Sequence, residues 1–184
     1  MYKFGVIKDG KEVSFSYPNI WAVERTTGPD RLVIAPDGGH LDLMFELAAC
    51  WSPGYGVLYV LLFPRVGNES GRYQCPEPLF SVELKGFIAT YRTFLETDGR
   101  HHLWIGSLNN EGTLVYDHHN VVYAYGPIEA YRRVLEARGL KQVPEVRFPS
   151  PHVHRYHVEN DEWEASIMTR WAWRKTPLQE NDDR

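Results

Sequence analysis

The chain has 184 residues, 43% of them hydrophobic and 14% aromatic against 24% charged, enough apolar material to bury a core as one domain. Its 15 glycines and 12 prolines are too few for a collagenous or low-complexity chain, and 6 Trp, 11 Tyr and 8 Phe are too many for a disordered one. With 20 Lys and Arg against 24 Asp and Glu the formal net charge is −4, and no long basic run offers a footprint to phosphates, which argues against nucleic acid as a partner.

The first residues hold no apolar signal region, and the longest apolar run, 57–63, is far short of the roughly 20 residues that cross a bilayer. The expectation is a cytoplasmic protein with no membrane contact. Cys50 and Cys75 are too few for a disulfide framework and read as two reduced thiols.

In chain order, Lys8-Asp9-Gly10-Lys11 is a turn signal between Phe4-Gly5-Val6-Ile7 and Val13-Ser14-Phe15, a short hairpin; the rest of the first thirty residues shows no clear pattern. Residues 31–35 read as a strand stopped by Pro36-Asp37-Gly38-Gly39. Segment 41–51 fits two periods, since Leu41, Leu43, Phe45 and Leu47 alternate while Leu41, Phe45 and Ala48 share a helical face. The Glu46-Leu47-Ala48-Ala49 composition tips it to helix. The continuous apolar run 57–63, ended by Pro64, predicts a strand covered on both faces and is the candidate central strand. A polar loop, 65–78, follows.

With Ser81 as N-cap, Leu84, Phe87, Ile88, Tyr91, Phe94 and Leu95 fall at spacings of three and four and predict a helix ending near Asp98-Gly99. Strands at 102–107, 113–116 and 121–125, separated by turns at 109–112 and 117–120, make an antiparallel meander. Gly126-Pro127 opens a helix with proline at its first position, buried along Ile128, Tyr131, Val134 and Leu135 and ended by Gly139. Extended pieces at 146–148 and 153–157 are broken by Pro149-Ser150-Pro151. A last helix opens with Asp161 and Glu164 at capping-box spacing and points Trp163, Ile167, Met168 and Trp171 at the core. Continued helix would put Trp171 and Trp173 on opposite sides, leaving one partly exposed. The sum is an α+β protein, a mainly antiparallel sheet with three to four helices packed on it, in a single domain 1–176 with a flexible polar tail 177–184.

Eight histidines invite a metal reading. On an extended strand His152 and His154 share a face, while His157 projects from the other. Adjacent in a turn, His118 and His119 diverge, with Asp117 or His40 able to join one of them only through folding. There is no helical His-Glu-x-x-His pair and no Cys-x-x-Cys, so the sequence by itself assigns no metal and no cofactor; if a metal is bound, His152 and His154 are its first ligands. No Gly-x-Ser-x-Gly elbow is present, and Cys75, which with Asp117 and a histidine would make a Cys-His-Asp set, reads as buried and inert. Gly54-Tyr55-Gly56 precedes a strand and is not a phosphate loop. The 65–78 loop carries Arg65, Asn68, Glu69, Arg72, Tyr73 and Gln74, suited either to recognising a partner or to pairing with local carboxylates.

Gly112-Thr113-Leu114-Val115-Tyr116-Asp117-His118-His119-Asn120-Val121-Val122-Tyr123-Ala124-Tyr125-Gly126, with the helix behind it, resembles small bacterial proteins of the kind found among immunity proteins of polymorphic toxin systems. The resemblance covers roughly residues 80–140 and implies a non-enzymatic protein that binds and blocks a toxin domain; it carries over no residue roles. The resulting expectation is an acidic protein-binding module using Arg65, Glu69, Arg72, Tyr73, Asp117, His118 and His119 against a protein partner. The alternative is a metal-dependent hydrolase built on His118, His119, His152, His154 and Asp117. A homo-oligomer joined through an exposed tryptophan and a sheet edge is the third.

Overall fold

A computed structural model describes residues 1–182; Asp183 and Arg184, the end of the expected tail, lie outside the described residues. In chain order the elements are β1 (Phe4–Lys8), β2 (Lys11–Ser14), β3 (Ile20–Glu24), β4 (Arg31–Ala35), α1 (His40–Ala48), β5 (Tyr55–Leu61), β6 (Gly71–Gln74) and α2 (Ser81–Thr97). They continue with β7 (His101–Ser107), β8 (Thr113–Tyr116), β9 (Val122–Tyr125), α3 (Ile128–Ala137), β10 (Lys141–Gln142), β11 (His152–His154), α4 (Asp161–Thr169) and β12 (Arg174–Thr176). Among the described residues the strands form a nine-stranded sheet, β10-β3-β4-β9-β8-β7-β5-β6-β12, and a three-stranded one, β11-β1-β2. Every pairing is antiparallel except that of β10 with β3. The molecule is a single α+β domain, as its sequence pattern predicts.

Strand alternation gives the large sheet two faces. Leu103, Ile105, Leu114, Tyr116, Val122 and Ala124 point to one, where they meet Leu41, Leu47, Leu84, Phe87, Tyr91 and Tyr131 of the helices in the main core. All six stripe residues expected of α2 are buried there. The other face is covered at one end only: Phe4 and Tyr17 pack with Ala22, Val33, Ala35 and Val146 in a second, smaller core. Beyond this cover the second face lies open along β7, β8 and β9, and the candidate site sits at the boundary.

Several expectations shift. β5 stands between β7 and β6, seventh in the order rather than central, because the chain spends four strands on building the sheet outward from β8. The 65–78 loop contains β6, which pairs with β5 on one side and β12 on the other. Phe80 rather than Ser81 caps α2, its N–H donating to Glu83 Oε2 at 2.8 Å, and Pro127 is the N-cap of α3 rather than its first residue. No strand forms at 146–148.

Asp161 and Glu164 do not make a capping box. Both are drawn to Arg100, whose Nη1 donates to Asp161 Oδ1 at 3.0 Å and Glu164 Oε2 at 2.6 Å, while its Nε donates to Asp98 Oδ1 at 2.8 Å. Arg100, Asp98 and Glu164 are fully buried. Trp163 is 40% exposed instead of facing the core. Because α4 ends at Thr169, Trp171 and Trp173 escape the helical geometry that would separate them. Their rings lie 4.8 Å apart, Trp171 stacks on Phe87, and Trp173 Nε1 donates to the Ile167 carbonyl.

Candidate metal centre

Asp117 follows the last residue of β8 and shapes the turn into β9. Its Oδ1 accepts the N–H of His119 (2.9 Å) and of Val121 (3.0 Å), and its own N–H donates to the Val121 carbonyl at 3.0 Å. Asn120 takes the left-handed conformation, φ 62°, that closes such a turn at little cost for Asn. With Oδ1 occupied by backbone, Oδ2 is left to accept from His119 Nδ1 at 3.0 Å. With the carboxylate accepting, that bond places a proton on His119 Nδ1 and turns the ring so that Nε2 is the atom left for a ligand role.

The register of the small sheet supplies the third ring. β11 pairs with β1 so that His154 lies opposite Phe4 and His152 opposite Val6, and both imidazoles reach the Asp117 turn. Ring centroids are 4.3 Å apart for His118 and His119, 4.1 Å for His118 and His154, and 4.8 Å for His119 and His154. One ligand nitrogen from each of these three lies within 4.8 Å of the others. Nitrogens on one tetrahedral zinc stand roughly 3.3 Å apart for bonds of about 2.0–2.1 Å, so the three would draw together by up to about 1.5 Å to hold one ion. Phe4 packs against His119, His152 and His154 and fixes the rings from below.

The electrostatics suit a cation. Nδ1 of His118 and of His154 are buried with no hydrogen-bond partner, as is Nε2 of His102, whose ring lies 4.8 Å from that of His118. Burial pushes the His118 imidazole far below its ordinary range, and its neighbours His102, His154 and His119 add to this. Burial likewise lowers His154 to about 4, helped by His119 and His152, and His102 to about 4 against the pull of Asp117. Burial alone would raise the Asp117 carboxyl, but the bond from His119 and that from the Val121 N–H hold it below its usual value. His118, His154 and His102 are thereby held as neutral imidazoles beside one carboxylate, the form in which imidazole binds metal.

Of the two histidines named first by sequence, His154 belongs to the trio, while His152 stands beside it with Nδ1 turned to the Pro149 carbonyl and its ring 5.2 Å from His119. The rings of adjacent His118 and His119, expected to diverge, lie 4.3 Å apart, and His154 reaches both from β11. His157 is directed to the Tyr2 carbonyl and His40 to that of Asn120. Cys75 Sγ accepts from the Val57 N–H inside the main core, with its thiol pKa raised by burial. His102 was not singled out by its sequence context; the only signal was its alternation with Trp104 on the open face.

The residues of the 65–78 segment lie elsewhere. Arg65 pairs with Asp161, Glu69 with Lys175, Arg72 with Asp182 at 2.7 Å, and Tyr73 donates to the Glu69 carbonyl at 2.5 Å. Asp182, in the expected tail, is nearly buried by its contact with Arg72. No family model matches the sequence, and no curated protein or solved structure matches it either.

Proposed function

We propose that the protein is a metal-dependent hydrolase whose centre is a divalent ion of the zinc class held by His118, His119 and His154. The observation that carries this reading is the trio itself: three ligand nitrogens within 4.8 Å of one another, one of the rings oriented by a buried carboxylate. Three imidazoles suit zinc and its neighbours, and three protein ligands leave a position for water. A groove of about 670 Å³ on the open sheet face is lined by His102 and Asp117, which stand beside the trio.

Held by His118, His119 and His154, such an ion would supply a water acidic enough to act as hydroxide near neutral pH. His102, whose ring lies 4.8 Å from that of His118, is the neighbour that would carry a proton from the attacking water toward the departing alcohol of an ester. Asp117 keeps the His119 ring in register and balances its share of the charge. The binding-module reading finds less support, since Arg65, Glu69 and Arg72 are already engaged within the fold.

Elemental analysis of the dialysed protein is expected to give one zinc-class ion per chain. Chelation should remove it and stop hydrolysis of 4-nitrophenyl acetate, and added zinc should restore both. His119→Ala and His154→Ala should each lose the metal while keeping the far-ultraviolet spectrum of the parent. A protein free of metal at stoichiometric zinc, or hydrolysis indifferent to chelation, overturns the proposal.

A further inference from the structure

His118, His119 and His154 do not stand alone. With His152 on one side and His102 on the other they make a file of five imidazoles. Ring centres are 5.2 Å apart from His152 to His119, 4.3 Å from His119 to His118 and 4.8 Å from His118 to His102. His154 lies beside this file, 5.3 Å from His152 and 4.1 Å from His118. Exposure falls in the same order: His152 is exposed, His119 and His154 are half-buried, and His118 and His102 are buried. An ion leaving water for a buried site loses hydration that nothing replaces unless its ligands are exchanged one at a time. A ring standing in solvent at the edge of such a site offers the first exchange.

The local bonding of His152 suits that role. Its Nδ1 lies 2.9 Å from the Pro149 carbonyl, which can only accept, so the proton of the neutral ring sits on Nδ1 and the Nε2 lone pair is left for a ligand. The same bond holds the ring at the rim, where Phe4 packs on it at 5.4 Å. Phe4 and Phe148 also stand against His119, at 5.6 and 5.1 Å, and offer an ion no lone pair on those sides. Two residues apart on β11, His152 and His154 share a face. An ion bound to His152 is therefore next to both outer members of the trio.

We infer that His152 is the entry ligand of the metal centre: a divalent ion binds its Nε2 first and passes to His119, His154 and His118, each step exchanging one bound water or imidazole for the next imidazole nitrogen. The inference rests on the reading of the trio as a metal site. A residue on the route lowers the same barrier in both directions, so its loss slows entry and exit alike and leaves the affinity where it was. Loss of a fourth permanent ligand would instead speed exit and weaken affinity.

The test follows metal movement and needs no substrate. The whole protein, stripped of metal, is mixed with Co²⁺ by stopped flow, uptake is read from the visible absorption of the bound ion, and release is timed in excess EDTA. His152→Phe keeps a ring against Phe4 without a lone pair and is expected to slow uptake and release by about ten-fold each, with the dissociation constant unchanged. His152→Ala, the smaller replacement, should do the same and guards against a phenylalanine that disturbs β11. His152→Glu restores a ligating group at the rim and should recover most of the uptake rate. Uptake at the parent rate in both His152→Phe and His152→Ala overturns the inference and leaves the trio's metal site standing. So does a fall in affinity that comes from faster release, which would make His152 a fourth ligand. A parent protein that binds no Co²⁺ overturns both the inference and the reading beneath it.

Discussion

The Asp117 carboxylate holds the ring of His119, two residues further on, through Oδ2 at 3.0 Å while Oδ1 holds the backbone of the same turn. One side chain therefore does two separable jobs. Asn in its place still accepts the backbone N–H groups through its carbonyl oxygen, but its amide cannot accept from His119 Nδ1. Asp117→Asn is expected to keep the fold and to weaken zinc binding by about 10–100-fold, the usual cost of losing such a partner. Competition against a chromophoric chelator measures it; unchanged affinity would show that the ring needs no such support.

Arg100 anchors α4 and the end of α2, two residues before His102. Fully buried, it binds Asp98 and Glu164, also fully buried, and its removal leaves two carboxylates without their cation. Arg100→Ala should lower stability by about 3–5 kcal/mol. Arg65, paired with the same Asp161 but about a third exposed, should cost under about 1 kcal/mol when replaced by alanine. Urea unfolding of the two variants tests the contrast, and equal losses would count against it.

Gly112 is a packing position. A Cβ there would stand 2.5 Å from the Tyr125 carbonyl oxygen and 2.7 Å from the Trp51 ring, which is itself fixed by its bond from Nε1 to the Tyr131 hydroxyl. Neither neighbour can yield cheaply. Gly112→Ala should cost about 1–3 kcal/mol, a fall of several degrees in Tm for a chain of this size. A thermal melt coincident with the parent would refute the clash.

Stability should also depend on pH in a defined direction. Burial lowers the His40 pKa to about 3, with Lys3 adding to the effect, and burial pushes wholly buried His101 well below its ordinary value. In the unfolded chain both titrate near 6.5, so below that pH the unfolded state binds more protons and the fold loses stability. Lys3, lowered by burial to about 7 from 10.5, acts in the same sense above neutrality, where stability climbs as pH rises. The unfolding free energy of the chelator-treated protein, from urea titration, should fall steadily from pH 7 to pH 4, by a few kcal/mol in all, and His40→Gln should flatten part of that slope. An unfolding free energy that is level or rises on acidification contradicts this.

Local pattern made much of the fold readable. The stripe from Leu84 to Leu95, the β4 run of Arg31–Ala35 and the three strands of the meander are short-range signals, because burial of one face imposes a period on neighbouring residues. Where the signal was misread, a distant partner had overruled it: Asp161 and Glu164 have capping-box spacing but serve Arg100, and Trp171 and Trp173 meet because α4 stops before them. β3 and β12 left little trace, being short strands whose pairing comes from β4 and β6.

The amino-acid order determined the α+β class, the turn at 117–120 and the presence of its two histidines, all matters of contacts a few residues apart. Whether those imidazoles meet another was decided only by the tertiary structure, through the pairing of β1 with β11 that carries His154 across some 35 positions of sequence to the Asp117 turn. A metal site needs convergence in space, and spacing along the chain encodes convergence only when the ligands share one element. Here they come from a turn and from a strand of a different sheet.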